Sequence, residues 1–328
     1  MKIKFGILLA TMLLSGNAAS SYKIVMGTEK IKIPEQTTIP FTQHTFTTCG
    51  QTGRFGPTIS QCQQAYTNSE IDTENSEQYS VSNGIQIWTV PQTATYNIKA
   101  YGAQGGSPFV TGEKGGRGAL IEGNFNLTKG QKISILVGQQ GGSFGYTGGG
   151  GGGTFVVNKT ANQTISDILL VAGGGGGGGN SGGFGRPGQI TEDGGTGYTG
   201  YPAGVNGYGS TSTIKNGVGQ FGAGFRGDGN GRYFGATYSN GEVAKSFLNG
   251  GTGADKGTKT VAISSSCIGA FGGFGGGASG ACNGGGGAGG YSGGAAGGGG
   301  GGSKNNGANP NNIAGNNAGE GKVVITKL

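Results

Sequence analysis

Glycine is the residue that most limits what this chain can become. It fills 82 of 328 positions, and its placement is uneven: seven glycines precede Tyr101, and the other 75 lie between Gly102 and Gly321. Many stand in unbroken runs, Gly148 to Gly153, Gly173 to Gly179, Gly284 to Gly287 and Gly297 to Gly302. Glycine has no side chain to bury and loses more backbone freedom on ordering than any other residue. At roughly 1–2 kcal/mol per ordered backbone, fixing these positions opposes folding by on the order of 100 kcal/mol. Two states are open to such a sequence. The region is a slack linker, or bare main chains lie side by side and share N–H···O bonds. The recurrence of the runs favours the second. So does the simplest pairing of two of the cysteines, Cys267 with Cys282, which encloses "IGAFGGFGGGASGA" and would be wasted on a segment that stays loose. Polyproline II helices suit this packing, because their backbone groups make no internal bonds. A Gly-X-Y period is absent, which excludes collagen.

Ahead of the runs the sequence reads as antiparallel β structure. Tyr96, Ile98 and Ala100 alternate with Asn97 and Lys99, as in a half-buried strand. "SNG" between β-branched residues of Val81 to Val90 predicts a hairpin. Further strands are expected at Thr45 onward, Ala119 to Leu127, Lys132 to Gly138, Thr154 to Val157, Asp167 to Gly173, Thr260 to Ser264 and Lys322 to Leu328, with Gly130 in a hairpin turn between two of them. Thr58 and Gln61 have the spacing of a capping box before a short helix. A lone terminal strand is unstable, so Lys322 to Leu328 must return to the sheet laid down earlier. The predicted fold is therefore mainly β: an antiparallel jelly-roll sandwich at 41–172, completed by 322–328, with a glycine-rich polyproline II insertion at 173–321.

The first twenty residues have the basic end (Lys2, Lys4), the apolar stretch (Phe5 to Leu14) and the small residues (Ala18 to Ser20) of a cleaved secretory signal. Residues 21–40 read as a lead-in, and the product is expected to be secreted, with no transmembrane segment after cleavage. Four cysteines, Cys49, Cys62, Cys267 and Cys282, suit two disulfides in such a compartment. Three pairings are open; pairing within each close couple is the simplest. The formal charge of +7 is spread singly through glycine, with no basic cluster for nucleic acid.

"TFTTCGQTGRFGPTISQCQQAY" (Thr45 to Tyr66), "GIQIWTVP", "YNIKAYGAQGG" and "ISILVGQQGG" closely resemble the extracellular glycine-rich domain of the anaplastic lymphoma kinase and leukocyte tyrosine kinase receptors. "GGGGGGTFVV", "LLVAGGGGG", "FGGFGGGASGACNGGGGAGGYSGG" and "GKVVI" follow in that family's order. The resemblance implies a tumour-necrosis-factor-like jelly roll with an inserted bundle of glycine helices, disulfides Cys49–Cys62 and Cys267–Cys282, and binding of small protein ligands. The family's transmembrane helix and kinase find no counterpart in this sequence.

No catalytic or cofactor chemistry is expected. The sole histidine, His44, reads as a solvated loop residue ahead of the first strand, and one histidine supplies neither a zinc trio nor a triad. The acids Glu70, Asp72, Glu74 and Glu77 lack the EF-hand pattern. Asn126, Asn158 and Asn162 stand in N-x-T sequons. Tyr198, Tyr201, Tyr208, Phe221, Phe225, Tyr233, Phe234 and Tyr238 are interleaved with small residues. That composition provides contact area at low entropy cost and marks a candidate binding surface, against the alternative that the rings seal the glycine bundle. The expected function is extracellular recognition or adhesion toward a protein or glycan. The alternative is a subunit that binds copies of itself in a coat or fibre.

Overall fold

The alternation read at Tyr96, Ile98 and Ala100 is realised in strand β4 (Ala94–Tyr101), where these three side chains are buried between partly exposed neighbours. The computed structural model describes residues 41–109, 112, 114–180, 183–212, 219–231, 242–256, 269–281 and 283–328. The signal and lead-in, the strand expected at Thr260 to Ser264, and Cys267, Cys282, Tyr233, Phe234 and Tyr238 lie outside them.

Local chemistry explains the first elements. Strand β1 (Gln43–Phe46) leads to helix α1 (Ile59–Ala65), which is closed by the capping box between Thr58 and Gln61. Strands β2 (Tyr79–Ser82) and β3 (Ile85–Thr89) are joined by two residues, Asn83 and Gly84, with φ of 48° and 77°. Two positive φ values in a two-residue loop define the turn whose twist matches a hairpin. The chain continues through β5 (Gly118–Leu127), β6 (Lys132–Leu136), the short pair β7 (Ser143–Phe144) and β8 (Thr147–Gly148), β9 (Thr154–Asn158), β10 (Ile168–Ala172), β11 (Lys304–Asn305), β12 (Ala308–Asn317) and β13 (Lys322–Lys327).

These strands form two antiparallel sheets, in the orders β1-β13-β4-β5-β12 and β11-β10-β9-β6-β3-β2. Strand β13 lies inside the first sheet between β1 and β4, placing Val323 opposite Ala100 and Ile325 opposite Ile98. Phe46, Trp88, Tyr96, Ile98, Ile121, Ile135, Val156, Leu170 and Ile325 belong to the main core, which draws on both sheets. A second cluster joins Leu136, Phe155, Val157, Ile168 and Val171 to Phe225, Phe247, Phe274 and Tyr291 from the glycine-rich region. Strands β6, β9 and β10 are thus buried on both faces, which is why "TFVV" and "ILLVA" do not alternate.

Three expectations are corrected. Gly130 does occupy a turn with φ of 84°, yet β5 and β6 on either side of it enter different sheets, so the turn is not a hairpin. His44 lies within β1 and is buried; it is no loop residue, because the alternation of that strand turns His44 and Phe46 inward. Strands β11 and β12 lie inside the stretch read as glycine lattice, and β12 pairs with β5 along its length.

The run Gly173–Gly179 is surrounded by other main chain. The N–H groups of Gly174 and Gly177 donate to Gly289 and Gly286, those of Gly175 and Gly178 to Ala103 and Gly106, and those of Gly176 and Gly179 to Arg186 and Gly183. Its carbonyls repeat the pattern: Gly173 and Gly176 accept from Ala119 and Gly116, and Gly175 and Gly178 from Gly151 and Gly148. Gly174 accepts from Gly301. Five of these neighbours recur after three residues and Gly301 marks a sixth, so one segment contacts six others, three through its donors and three through its acceptors. A Cβ at Gly175 would collide with the carbonyl of Gly116, and one at Gly177 with that of Gly148. Only glycine permits this approach. Buried amides that must all be paired find their partners here across the run, not along it.

Candidate functional site

The aromatic segment divides by burial. Phe221 and Phe225 are fully buried, which corrects the expectation that they belong to a contact surface. Phe225 stacks on Phe247 with ring centroids 5.2 Å apart and planes at 12°, so it covers the outer face of the second sheet. Phe221 packs with Ala295 and Ala296, and half-buried Tyr201 meets it edge-on at 5.9 Å. Tyr198 lies against the same cluster, and burial raises its pKa. Tyr208 alone of the described five is exposed. The Arg226 guanidinium sits over its ring, 4.2 Å from the centroid, and the Arg226 amide donates to Gly207. With exposed Val205, Tyr208 and Arg226 form a firm aromatic and cationic face. Arg226 was not singled out from the sequence; its place beside Phe225 in "GFRGDG" was the available signal.

A carboxylate anchors the loop behind that face. Asp228 accepts from the Ser246 amide at 2.8 Å, Asn249 Nδ2 at 2.8 Å and Lys245 Nζ at 3.1 Å. Burial alone would raise its pKa, but these three donors hold it below the ordinary value. The tethered segment Phe247–Asn249 lies beside the β2–β3 turn, where two cavities meet. One of about 530 Å³ is lined by Phe55, Ile59, Val81, Asn83, Asn249 and Phe274. The other, about 260 Å³, includes Ile85, Ile87, Lys159, Gln163 and Leu248, and shares Asn83, Asn249 and Gly250 with the first. Gly56 and Gly84 approach so closely that a Cβ on either would strike the other's main chain. Phe55 is 55% exposed, while its carbonyl accepts from Gln139 at 2.9 Å and Arg54 lies over its ring at 4.8 Å. Arg54 is itself paired with Glu242 and Asp255.

The remaining expected residues are distributed around the β core. Cys49 and Cys62 are disulfide-bonded, stapling the turn that follows β1 to helix α1. Among the sequons, Asn162 is exposed, Asn126 is exposed on β5 and accepts from Thr95, and Asn158 accepts from Gln131. His44 is wedged edge-on between Phe46 and Tyr66, each 4.6 Å away, and its Nε2 has no hydrogen-bond partner among the described residues. Burial pushes its pKa down to about 4 against the attraction of Glu70. Glu70 accepts two bonds from Thr42 and one from the Gln43 amide, and these bonds hold its own pKa low. Among the described residues no group of three or more His, Cys, Asp or Glu is placed to hold a metal ion, and no helix is long and apolar enough to cross a membrane.

Ninety-six residues of this chain, 29% of its length, are 42% identical to the leukocyte tyrosine kinase receptor of Mus musculus. The chain is similar to a receptor kinase. The matched residues make up 11% of that receptor, so the chain corresponds to a small part of its relative, and the resemblance read from the cysteine, strand and glycine blocks is borne out over that length. No family model matches the chain.

Proposed function

We propose that this chain is a secreted, non-enzymatic protein of extracellular recognition or adhesion, whose ligand is a protein or a glycan. The observation that carries this reading is the 42% identity over 96 residues to a protein named as a receptor. Tyr208 and Arg226 are the contact residues: the ring is exposed, its cation is stacked on it, and the backbone below is tied into the glycine region. Tyr and Arg are the side chains most enriched where binding energy concentrates. The burial of the sole histidine in its neutral form fits a chain without acid–base chemistry of its own. In this reading the two sheets are a tumour-necrosis-factor-like jelly roll, supported by sequence-remote neighbours such as β13 beside β1 and β4. The glycine runs are polyproline II helices, supported by the three-residue period of their bonds, since that helix has three residues per turn. Self-assembly through a sheet edge is the weaker reading, because the long edge strand β12 carries Pro310 and two register shifts, devices that blunt edge pairing.

The test is to express the full chain with its own N-terminus in a secreting eukaryotic cell, and to measure binding of the tagged product to cells by flow cytometry. The expected results are recovery from the medium, a monodisperse peak in light scattering, and cell binding reduced at least tenfold by Tyr208→Ala with Arg226→Ala. Retention inside the cell, filaments, or binding indifferent to both substitutions overturns the reading.

A further inference from the structure

The second sheet ends in β2, and the phase of its hydrogen bonds is fixed. The Thr89 amide donates to Gln78 O at 2.9 Å, and the register pairs Ser80 with Ile87 and Ser82 with Ile85. In an antiparallel pair, bonded and non-bonded positions alternate, so the even-numbered residues of β2 bond to β3. Tyr79 and Val81 direct their main-chain groups the other way. The Tyr79 amide is taken by Asn75 O at 2.9 Å. Among the described residues the N–H and C=O of Val81 find no partner, although the residue is only partly exposed. An unpaired edge position of this kind is a template for another strand.

The larger cavity adjoins this position. Val81 lies on the face of the sheet that carries Tyr79, Trp88 and Gln86, since cross-strand partners share a face, and Val81 itself forms part of the cavity wall. A strand added antiparallel opposite Val81 would exchange two bonds with it. The side chain of the residue making those bonds projects to Val81's own face, into the space between Phe55, Ile59 and Phe274. About 530 Å³ accepts a large apolar side chain with room to spare. The residues before and after it point to the opposite face, where the smaller cavity opens beside Ser82 and Ile85. The main-chain vacancy and the cleft therefore fall in register.

We propose that β2 is a docking edge that takes an extended segment of a partner protein as an added strand, with one apolar side chain seated in the cleft of Phe55, Ile59 and Phe274. Among the described residues the wall of this cleft carries no charged side chain, and Arg54 next to Phe55 is paired with Glu242 and Asp255, which suits an uncharged anchor residue. Main-chain bonds provide affinity and the cleft provides selectivity, the division of labour in β-strand addition. This surface is separate in kind from the Tyr208 face, and its test reads a peptide instead of a cell, so the two readings fail independently.

The probe is a phage-displayed library of linear nonapeptides, panned on the full chain, with every selected peptide then measured on Val81→Pro. Proline removes the edge N–H and is tolerated on an edge strand. The expected result is a peptide family sharing one large apolar residue. Its affinity falls at least tenfold on Val81→Pro, on Phe55→Ala, and on N-methylation of the peptide at the apolar residue, while circular dichroism of both variants matches the parent. Phe55→Ala and the N-methyl peptide keep the test decisive if Val81→Pro fails to fold. The proposal is overturned by peptides that bind Val81→Pro equally, by N-methylation without effect, by a dimer of this chain that Val81→Pro dissociates, or by saccharide binding in the cleft that Phe55→Ala abolishes and Val81→Pro leaves intact.

Discussion

Replacing Gly175 with alanine separates an ordered glycine region from a slack one by the sign of the result. In a loose chain, Gly→Ala is neutral or stabilises by about 0.4–1 kcal/mol, because it restricts the unfolded state. Here the new methyl group meets the carbonyl of Gly116 and lies 2.9 Å from the carbonyl carbon of Arg117. Relief requires the 116–117 segment to retreat by roughly 1.5 Å to reach ordinary carbon contact. That segment is held by Gly116 N to Gly176 O at 2.8 Å, Gly105 N to Gly116 O at 2.9 Å and Gly188 N to Arg117 O at 2.9 Å. Weakening three bonds at about 1 kcal/mol each, less the gain from alanine, gives a net loss of about 2–3 kcal/mol. At about 2–4 °C per kcal/mol for a large domain, the melting temperature falls by about 4–12 °C in a calorimetric scan. Gly195→Ala is the comparator: the three atoms nearest its methyl group all belong to the Gln189 side chain, the closest at 3.0 Å, and that chain can swing away. The expected change is within about 1 kcal/mol. A Gly175→Ala protein that melts at or above the parent temperature refutes the packed arrangement.

Four other outcomes are expected. Phe225→Ala, which empties a stacked site in the second core, destabilises by about 3–5 kcal/mol, whereas Tyr208→Ala changes stability by less than about 0.5 kcal/mol; urea unfolding of both compares them. Cys49→Ser with Cys62→Ser opens a bridge spanning 13 residues, lowering stability by about 3 kcal/mol in the chain-entropy account, read as a shift in urea midpoint. His44, neutral when folded with a pKa near 4, binds fewer protons than the unfolded chain between that value and about 6.5. Its contribution is complete above pH 6.5 and lost as pH falls toward 4, on the order of 3 kcal/mol; His44→Leu should flatten that part of the stability–pH curve, and an unchanged slope rejects the assignment. Among the sequons, Asn162, exposed and without a side-chain partner among the described residues, is expected to carry a glycan at higher occupancy than Asn158, as measured by peptide mass with and without glycosidase.

Elements whose cause is local were legible in the sequence. The Asn83-Gly84 turn, the Thr58–Gln61 capping box and the alternation of β4 each depend on residues within a few positions of one another. Elements defined by remote neighbours were not. Strand β12 is rich in asparagine and shows no apolar period, because its ten residues form a largely exposed edge held by β5. His44 takes an apolar neighbour's place in β1, so its polarity hid its burial. The aromatic segment is uniform in composition but divided in space. Phe221 and Phe225, lacking a polar tip, sink into contact with alanines and other rings, while the Tyr208 hydroxyl end remains in water beside Arg226. Composition marked the segment, and only the packing told which ring meets solvent. The period of three in the bonding of Gly173–Gly179 was equally invisible, since identical residues carry no phase.

The position of β13 has a consequence for biosynthesis. Among the described strands of the first sheet, β13 comes last along the chain and lies between β1 and β4, so that sheet stays open between β1 and β4 until Lys327 has cleared the ribosome. During elongation Phe46 and Tyr96 await a partner that does not yet exist. Contacts this distant along the chain also close slowly. A polypeptide that stops before β13 would therefore emerge with an open core and solvent-accessible rings, the signature by which folding chaperones recognise unfinished work.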